Sequence, residues 1–376
     1  MDYWIGSNES LNELCGHLEN EELIALDTEF IRTDTFFPKL ALIQISDGSA
    51  HWLIDVLSIT QYDALRSLLE SPKRTVIFHA CGEDIEVLDH SLGISPPNIF
   101  DTQIAAVLAN IGFSMGYANL LETLTDIRID KKETRSDWLA RPLSKRQLKY
   151  AENDVIHLHD LHKILTKKLE GLSREEWLAD EVQDLVTAVH QRKDSGLYYL
   201  RVKGGQRLGD MGLKCLERLC KWRELRARQL DRPRGRIVED SVLLELANKM
   251  PTDDDALSAI EGLVTREKKI YGDELVSEIS QVSADQSVPW IPKPITKASV
   301  ALMKNIRTAL IELADSQALP AECLVTKKEL ETILRSLEAN DLEWPSRINR
   351  GWRKEIVKPE IFRLISGVAA CDSHIF

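Results

Sequence analysis

The sequence predicts a mixed α/β domain followed by two all-helical modules. Three observations carry that expectation. The first third holds four short apolar runs rich in Ile, Val, Leu and Phe, bounded by turn residues and interleaved with helical patterns. From about residue 118 onward, helical periodicity dominates. Pro289, Pro292 and Pro294 then force extended backbone, separating a helical stretch over 210–281 from another over 297–368.

The four runs are ELIALDTEF (22–30), LALIQISD (40–47), HWLIDV (51–56) and RTVIFHA (74–80), with predicted helices at 8–18, 61–70, 83–91 and 103–109. Strands that cluster first and then alternate with helices imply a mixed sheet with helices packed on it. Beyond Pro142, Ser144-x-x-Gln147 forms a capping box that should open one helix running to about Leu169. Ser173-x-x-Glu176 has the same form and predicts a second helix, to about Lys193. Gly196, Gly204, Gly205 and Gly209 mark 194–209 as a linker. A shift of 87 residues superposes Ala227 on Ala314, Val238 on Val325, Leu243 on Leu330 and Leu246 on Ile333, which reads as a weak repeat.

Composition narrows the function classes. A chain of 376 residues suits two or three domains. No run approaches the ~18–20 uncharged apolar residues of a membrane span, and MDYWIGSNES has no signal-peptide pattern, so a cytoplasmic protein is expected. Cys15, Cys81, Cys215, Cys220, Cys323 and Cys371 lack metal spacing and read as reduced thiols. His157 and His159 fall on different helical faces and His159 with His162 lacks a third ligand, so the three histidines do not form a zinc set. The net charge of −12 is uneven, because 201–236 alone carries +8. A basic island on an acidic chain suits one surface that meets phosphate.

Three acidic motifs point to chemistry. Asp27 and Glu29 end the first strand, and their i, i+2 spacing puts both carboxylates on one face. Asp84 follows the strand VIFHA in the first turn of the next helix, where the helix dipole tolerates an anion. Tyr150 and Asp154 stand one helical turn apart, on one face of the helix that Ser144 caps. Each alone is commonplace. Their order and contexts together are specific.

In that order the chain resembles the DEDD superfamily of 3′→5′ exonucleases, in the subclass with tyrosine in the third motif. The histidine subclass carries its histidine where this chain has Lys149. ALDTEFIRTDTFFPKLALIQISD, IFHACGEDIEVL, IFDTQIAA and RSDWLARPLSKRQLKYAENDV are similar, in order, to the blocks of the ribonuclease D family. That resemblance implies an RNase H-like exonuclease domain over 1–170, a helical connector and linker over 171–209, and HRDC-like domains over 210–285 and 297–368. The second HRDC-like copy is degenerate. It also implies two Mg²⁺ or Mn²⁺ ions. Asp27 would bridge them, Glu29 and Asp154 would hold one, and Asp84 would act on the other. Tyr150, an ordinary phenol with a pKa near 10, would orient the attacking water rather than deprotonate it.

The expected activity is trimming of RNA 3′ ends to 5′-mononucleotides, with tRNA precursors as substrate and no obligate protein partner. A DNA exonuclease or a non-catalytic nucleic-acid scaffold are the alternatives. A helicase is excluded, since the chain has no G-x-x-x-x-G-K-[ST] phosphate loop. Thr28, Phe30, Gln44 and His79 are expected to line the terminal-nucleotide pocket. Arg135, Trp138 and Arg141 are candidates for phosphate and base contacts. Asp101, after a strand, is expected to be a supporting acid. Lys221, Arg223, Arg226, Arg228, Arg232, Arg234 and Arg236 are expected to form an RNA-tracking surface.

Overall fold

The computed structural model describes residues 3–129, 136–191, 197–285, 287–289 and 291–372. Six strands form one sheet: β1 (Trp4–Ile5), β2 (Leu23–Ile31), β3 (Lys39–Ser46), β4 (His51–Asp55), β5 (Thr75–Phe78) and β6 (Ile99–Asp101). Their spatial order is β1-β4-β3-β2-β5-β6. The pairs β1/β4, β2/β5 and β5/β6 are parallel, and β3/β4 is antiparallel. The mixed sheet that the strand runs predicted is therefore present. β1, only two residues long, has too little periodicity to be read from sequence.

Helices α1 (Asn8–His17), α2 (Asp63–Leu69), α3 (Gly82–Leu92), α4 (Thr102–Leu108) and α5 (Tyr117–Thr125) connect and flank the strands. Next come α6 (Lys145–Ile156), α7 (Leu158–Leu172) and α8 (Glu175–Gln191). The capping box at Ser144 forms, with the Ser144 hydroxyl taking the Gln147 N–H. The single helix expected to Leu169 is broken instead at His157, whose φ of −102° and ψ of 4° end α6 and let α7 start in a new direction. Ser173 does not cap α8. It takes a left-handed φ of 53° and closes α7, while the Arg174 carbonyl accepts the first helical bond of α8, from Leu178 N–H.

Strand β2 alternates strictly. Ile24 and Leu26 enter the core beneath α1, α2 and α3, whereas Ala25 joins the helical core of α4, α5 and α7. The even and odd positions thus face different layers, and Asp27 and Glu29 share the face of Ala25. α6 packs across β2 and β4 on that face.

The chain forms two compact units that do not follow its linear order. One contains Met1–Ile31, Leu40–Val189 and Ile295–Phe376; the other contains Arg32–Lys39 and His190–Pro294. In the first, α13 (Lys297–Ser316), α14 (Ala321–Leu324), α15 (Lys327–Glu338) and α16 (Gly351–Asp372) share a core with α4, α5, α7 and α8. The expected helical connector therefore packs instead of linking: Leu178 and Val182 of α8 are buried in that core. In the second unit, α9 (Asp210–Gln229), α10 (Asp240–Lys249), α11 (Asp254–Ser258) and α12 (Thr265–Ser280) surround Leu216, Trp222, Leu246 and Leu275. α13 and α15 begin 87 residues after α9 and α10, and α9 and α13 are both 20 residues long.

Candidate active site

β2 carries Asp27 and Glu29 out of the apolar layer. α6 lies over β2 and presents Asp154, with Tyr150 one turn earlier. Carboxylate oxygens of Asp27, Glu29 and Asp154 all lie within 4.8 Å of one another. Asp84 stands in the first turn of α3, as the sequence predicted, but its carboxylate is tied sideways: Thr28 Oγ1 donates to Asp84 Oδ1 at 2.5 Å. Threonine 28 points to the opposite face of β2 from its two acidic neighbours, and so it joins the fourth carboxylate to the strand.

The electrostatics follow from crowding anions in a half-buried pocket. Burial, then the charges of Asp84, Asp154 and Glu29, push Asp27 well above the usual carboxylate range. Burial and the charges of Asp154 and Asp84 raise Glu29 to about 9. Burial and Asp84 raise Asp154 to about 8. Asp84 rises less, to about 6, because the Thr28 bond favours its ionised form against burial. Among the described residues no Lys or Arg forms an ion pair with Asp27, Glu29 or Asp154. The donors are all hard oxygens, anionic and convergent, which is the set that divalent cations such as Mg²⁺ or Mn²⁺ take.

A pH prediction follows. Raised folded-state values mean that the folded chain holds more protons than the unfolded one, so stability falls as pH rises. Protein in excess chelator should lose thermal stability from about pH 4, where the unfolded carboxylates titrate, with the contribution of Asp84 gone near pH 6, that of Asp154 near pH 8 and that of Glu29 near pH 9. Added Mn²⁺ should restore more stability at pH 9 than at pH 6. A melting temperature flat across this range would contradict the coupling.

Burial and then Asp154, Glu29 and Asp27 push the Tyr150 phenol up, so Tyr150 stays protonated. Tyr117 was not among the residues singled out from sequence. Its hydroxyl donates to the Asn153 carbonyl at 2.9 Å, and burial followed by the charges of Asp154 and Asp27 raises it too. No spacing rule relates residue 117 to residue 153, so only folding reveals it.

Several expected substrate contacts are committed elsewhere. Gln44 is fully buried, and neither of its amide atoms has a hydrogen-bond partner among the described residues. Trp138 is 1% exposed and packs with Leu42, Leu53 and Ala151, so it cannot stack on a base. Arg141 clamps secondary structure: Nη2 donates to Asp55 Oδ1 at 2.6 Å and to the Ala41 carbonyl at 2.8 Å. His79 is spent as well. Its Nε2 donates to the Met115 carbonyl at 3.1 Å, Nδ1 lies 2.9 Å from Thr102 Oγ1, and burial lowers its pKa, keeping it neutral. The Thr28 side chain is held by Asp84, which leaves its backbone as the available contact. Phe30 is half-buried against the core beneath β2. Arg135 lies outside the described residues.

With this geometry in view, residues 3–170 match the 3′-5′ exonuclease family and 212–279 match the HRDC domain. The ribonuclease D of Pseudomonas paraeruginosa is 36% identical over 356 residues, covering 94% of this chain and 94% of the relative. That of Shewanella sp. (strain ANA-3) is 36% identical over 368 residues, covering 96% of this chain and 93% of its own length. The chain belongs to the ribonuclease D family. The crystal structure of Escherichia coli RNase D, an exoribonuclease involved in structured RNA processing, superposes with a TM-score of 0.87 at 29% identity, over 98% of this chain and 99% of that one. The chain is a 3′→5′ exoribonuclease that acts on RNA, and ribonuclease D chemistry of this type uses divalent metal ions.

The HRDC match of this ribonuclease D family member contains most of the basic island, yet the structure turns much of that charge inward. Arg223 is 1% exposed, with Nη1 on the Val238 carbonyl and Nη2 on Asp240. Arg228 and Arg234 both bind Glu224, itself 1% exposed. Arg226 makes a two-bond pair with Glu274, at 2.8 and 2.6 Å. These arginines also hold residues 32–39. Arg234 and Arg228 sit over the Phe36 ring, at 4.8 and 5.0 Å, and Asp231 accepts the Phe36 and Phe37 N–H groups. The expected RNA surface is corrected accordingly. Of its seven members, Arg223 is buried, Arg226 pairs with Glu274, and Arg228 and Arg234 share the buried Glu224, all three of these arginines staying partly exposed. Lys221, Arg232 and Arg236 remain exposed.

Proposed function

We propose that the Asp27, Glu29, Asp84 and Asp154 carboxylates hold two divalent ions, Mg²⁺ or Mn²⁺, and that the enzyme trims 3′-extended tRNA precursors to 5′-mononucleotides. The convergence of the Asp27, Glu29 and Asp154 oxygens within 4.8 Å carries this reading. Two such ions supply activation of water and neutralisation of charge at the scissile phosphate. Asp27 would help to hold both, Glu29 and Asp154 would hold one, and Asp84, steadied by Thr28, would hold the other. Tyr150 keeps its proton and fixes the direction of the attacking water by a hydrogen bond. Attack at phosphorus breaks the bond to the 3′ oxygen of the preceding nucleotide, which leaves with a proton. Thr28 offers its backbone to the terminal ribose, whose 2′-hydroxyl separates RNA from DNA.

Exposed Lys221, Arg232 and Arg236 supply the remaining contact to the RNA backbone. The domain division we favour keeps the exonuclease at 1–170 and HRDC-like domains at 210–285 and 297–368. The matched starts of α9 with α13 and α10 with α15 support the second copy. Among the described residues no helix is long and apolar enough to cross a membrane, and we read the enzyme as cytoplasmic.

The test is a 3′-extended tRNA precursor beside a DNA oligonucleotide of the same 3′ sequence, with Mg²⁺ or Mn²⁺. RNA should be shortened one nucleotide at a time, DNA slowly or not at all, and excess chelator should stop both. Tyr150→Phe should lower kcat by about 10²-fold while leaving RNA affinity within twofold, as loss of an orienting hydrogen bond predicts. Full activity in chelator, or equal rates on DNA and RNA, would refute the proposal.

A further inference from the structure

A buried carboxylate outside the cluster is bonded to the turn that precedes Asp84. Asp101 ends β6 and is fully buried. Its Oδ1 accepts from Gln103 N–H at 2.8 Å and from Ile104 N–H at 3.1 Å, an ordinary N-cap for α4. Two further bonds have nothing to do with capping α4. Ala80 N–H donates to Oδ1 at 3.2 Å and Cys81 N–H to Oδ2 at 2.8 Å, across about twenty residues of sequence.

Those two amides belong to the turn between β5 and α3. Ala80 has a φ of 61°, in the left-handed region that a Cβ disfavours, and Gly82 N–H closes the turn on the Ala80 carbonyl at 2.8 Å. α3 starts at Gly82, and Asp84 follows in its first turn. A strained non-glycine turn persists only when its surroundings hold it. Here the holder is Asp101, and the residue delivered by the turn is Asp84.

We propose that Asp101 is a positioning residue for hydrolysis: by holding the Ala80–Cys81 turn it sets the start of α3 and so the place at which the Asp84 carboxylate is presented. This rests on the reading of Asp84 as a holder of one divalent ion. An N-cap role alone accounts for the bonds to Gln103 and Ile104 and leaves those to Ala80 and Cys81 without a purpose.

Asp101→Ser separates the two roles. A serine hydroxyl still caps α4 but is too short to reach the turn. Mn²⁺ binding is measured by calorimetry without RNA, and kcat and KM on the RNA substrate are measured separately. Asp101→Ser should weaken the calorimetric Mn²⁺ affinity about 10-fold and lower kcat about 30-fold, with KM for RNA within twofold, the scale typical of groups that orient metal-binding carboxylates. Asp101→Asn, which keeps an oxygen for Oδ1's partners and loses the bond from Cys81, should fall between Asp101→Ser and wild type.

Ala80→Gly, placed in the Asp101→Ser background, removes the Cβ penalty of the turn and should recover at least about threefold in both Mn²⁺ affinity and kcat. Wild-type Mn²⁺ affinity in both Asp101 variants overturns the proposal. So does a loss that Ala80→Gly leaves untouched, since Asp101 would then act otherwise than through the turn. Should Asp101→Ser not fold, the same comparison is made with Asp101→Asn. A wild-type protein that takes up no Mn²⁺ at all would remove the metal reading itself, and the proposal with it.

Discussion

Replacing Asp27 or Asp154 by alanine should abolish RNA hydrolysis, lowering kcat by ~10³-fold or more, which corresponds to about 4 kcal/mol of lost transition-state stabilisation. Both residues belong to the carboxylate triad whose oxygens lie within 4.8 Å of one another, so each removal deletes one of its three oxygen donors. The same substitutions should make the metal-free protein more stable at pH 8. Asp27 is raised by burial and by three neighbouring carboxylates, and Asp154 by burial and Asp84, so the ionised cluster opposes folding. A variant that loses activity while its melting temperature in chelator rises identifies a group kept for chemistry at the expense of stability. Retained hydrolysis, or a lowered melting temperature in chelator, would count against this role.

Glu181→Ala should destabilise the unit that contains the sheet by about 3–5 kcal/mol, the range for removing one partner of a buried ion pair. Glu181 on α8 receives Trp352 Nε1 at 3.0 Å and Arg347 Nη2 at 3.2 Å, and pairs with Arg353 Nη1. The Arg353 side chain is 2% exposed, and its other donors go to the Leu324 and Cys323 carbonyls. Without Glu181 the buried guanidinium loses its ion-pair partner and keeps only the field of Asp180. The neighbouring stack of Trp177 on Trp352, with centroids 4.7 Å apart, gives a fluorescence probe at the same contact. Urea unfolding followed by tryptophan emission reads the effect as a lower midpoint. Glu181→Gln, which keeps hydrogen bonds but no charge, should lose nearly as much. A midpoint shift worth less than about 1 kcal/mol would place this network among weak surface pairs.

The two halves of the site were unequally legible. The pairing of Asp27 with Glu29 and of Tyr150 with Asp154 was legible because each obeys a local rule: period two on a strand, one turn on a helix. Trp138, Arg141 and Arg223 were expected as substrate contacts because residue type was read as surface chemistry, and the fold buries or clamps all three. Arginine beside aromatic residues describes an RNA surface and an internal clamp equally well. The Arg141 bonds to Asp55 and to the Ala41 carbonyl, and the Glu224 pairs with Arg228 and Arg234, decide between them. These partners lie far apart in sequence or on other elements, and no periodicity encodes them.

The mixed sheet, the helical stretches after it and the order of acidic motifs could be read along the chain, since those depend on backbone propensity and side-chain alternation over a few residues. Which carboxylates meet was a matter for folding. It brought Asp154 of α6 against Asp27 and Glu29 of β2, and tied Asp84 to Thr28 of the same strand, near enough for its charge to act on all three. It also broke the expected helix at His157 and drew 295–376 into one unit with the sheet. The reason is the same in each case. Burial rewards whichever distant surfaces fit, and a charge taken from water needs a partner that the fold, not the neighbouring sequence, provides.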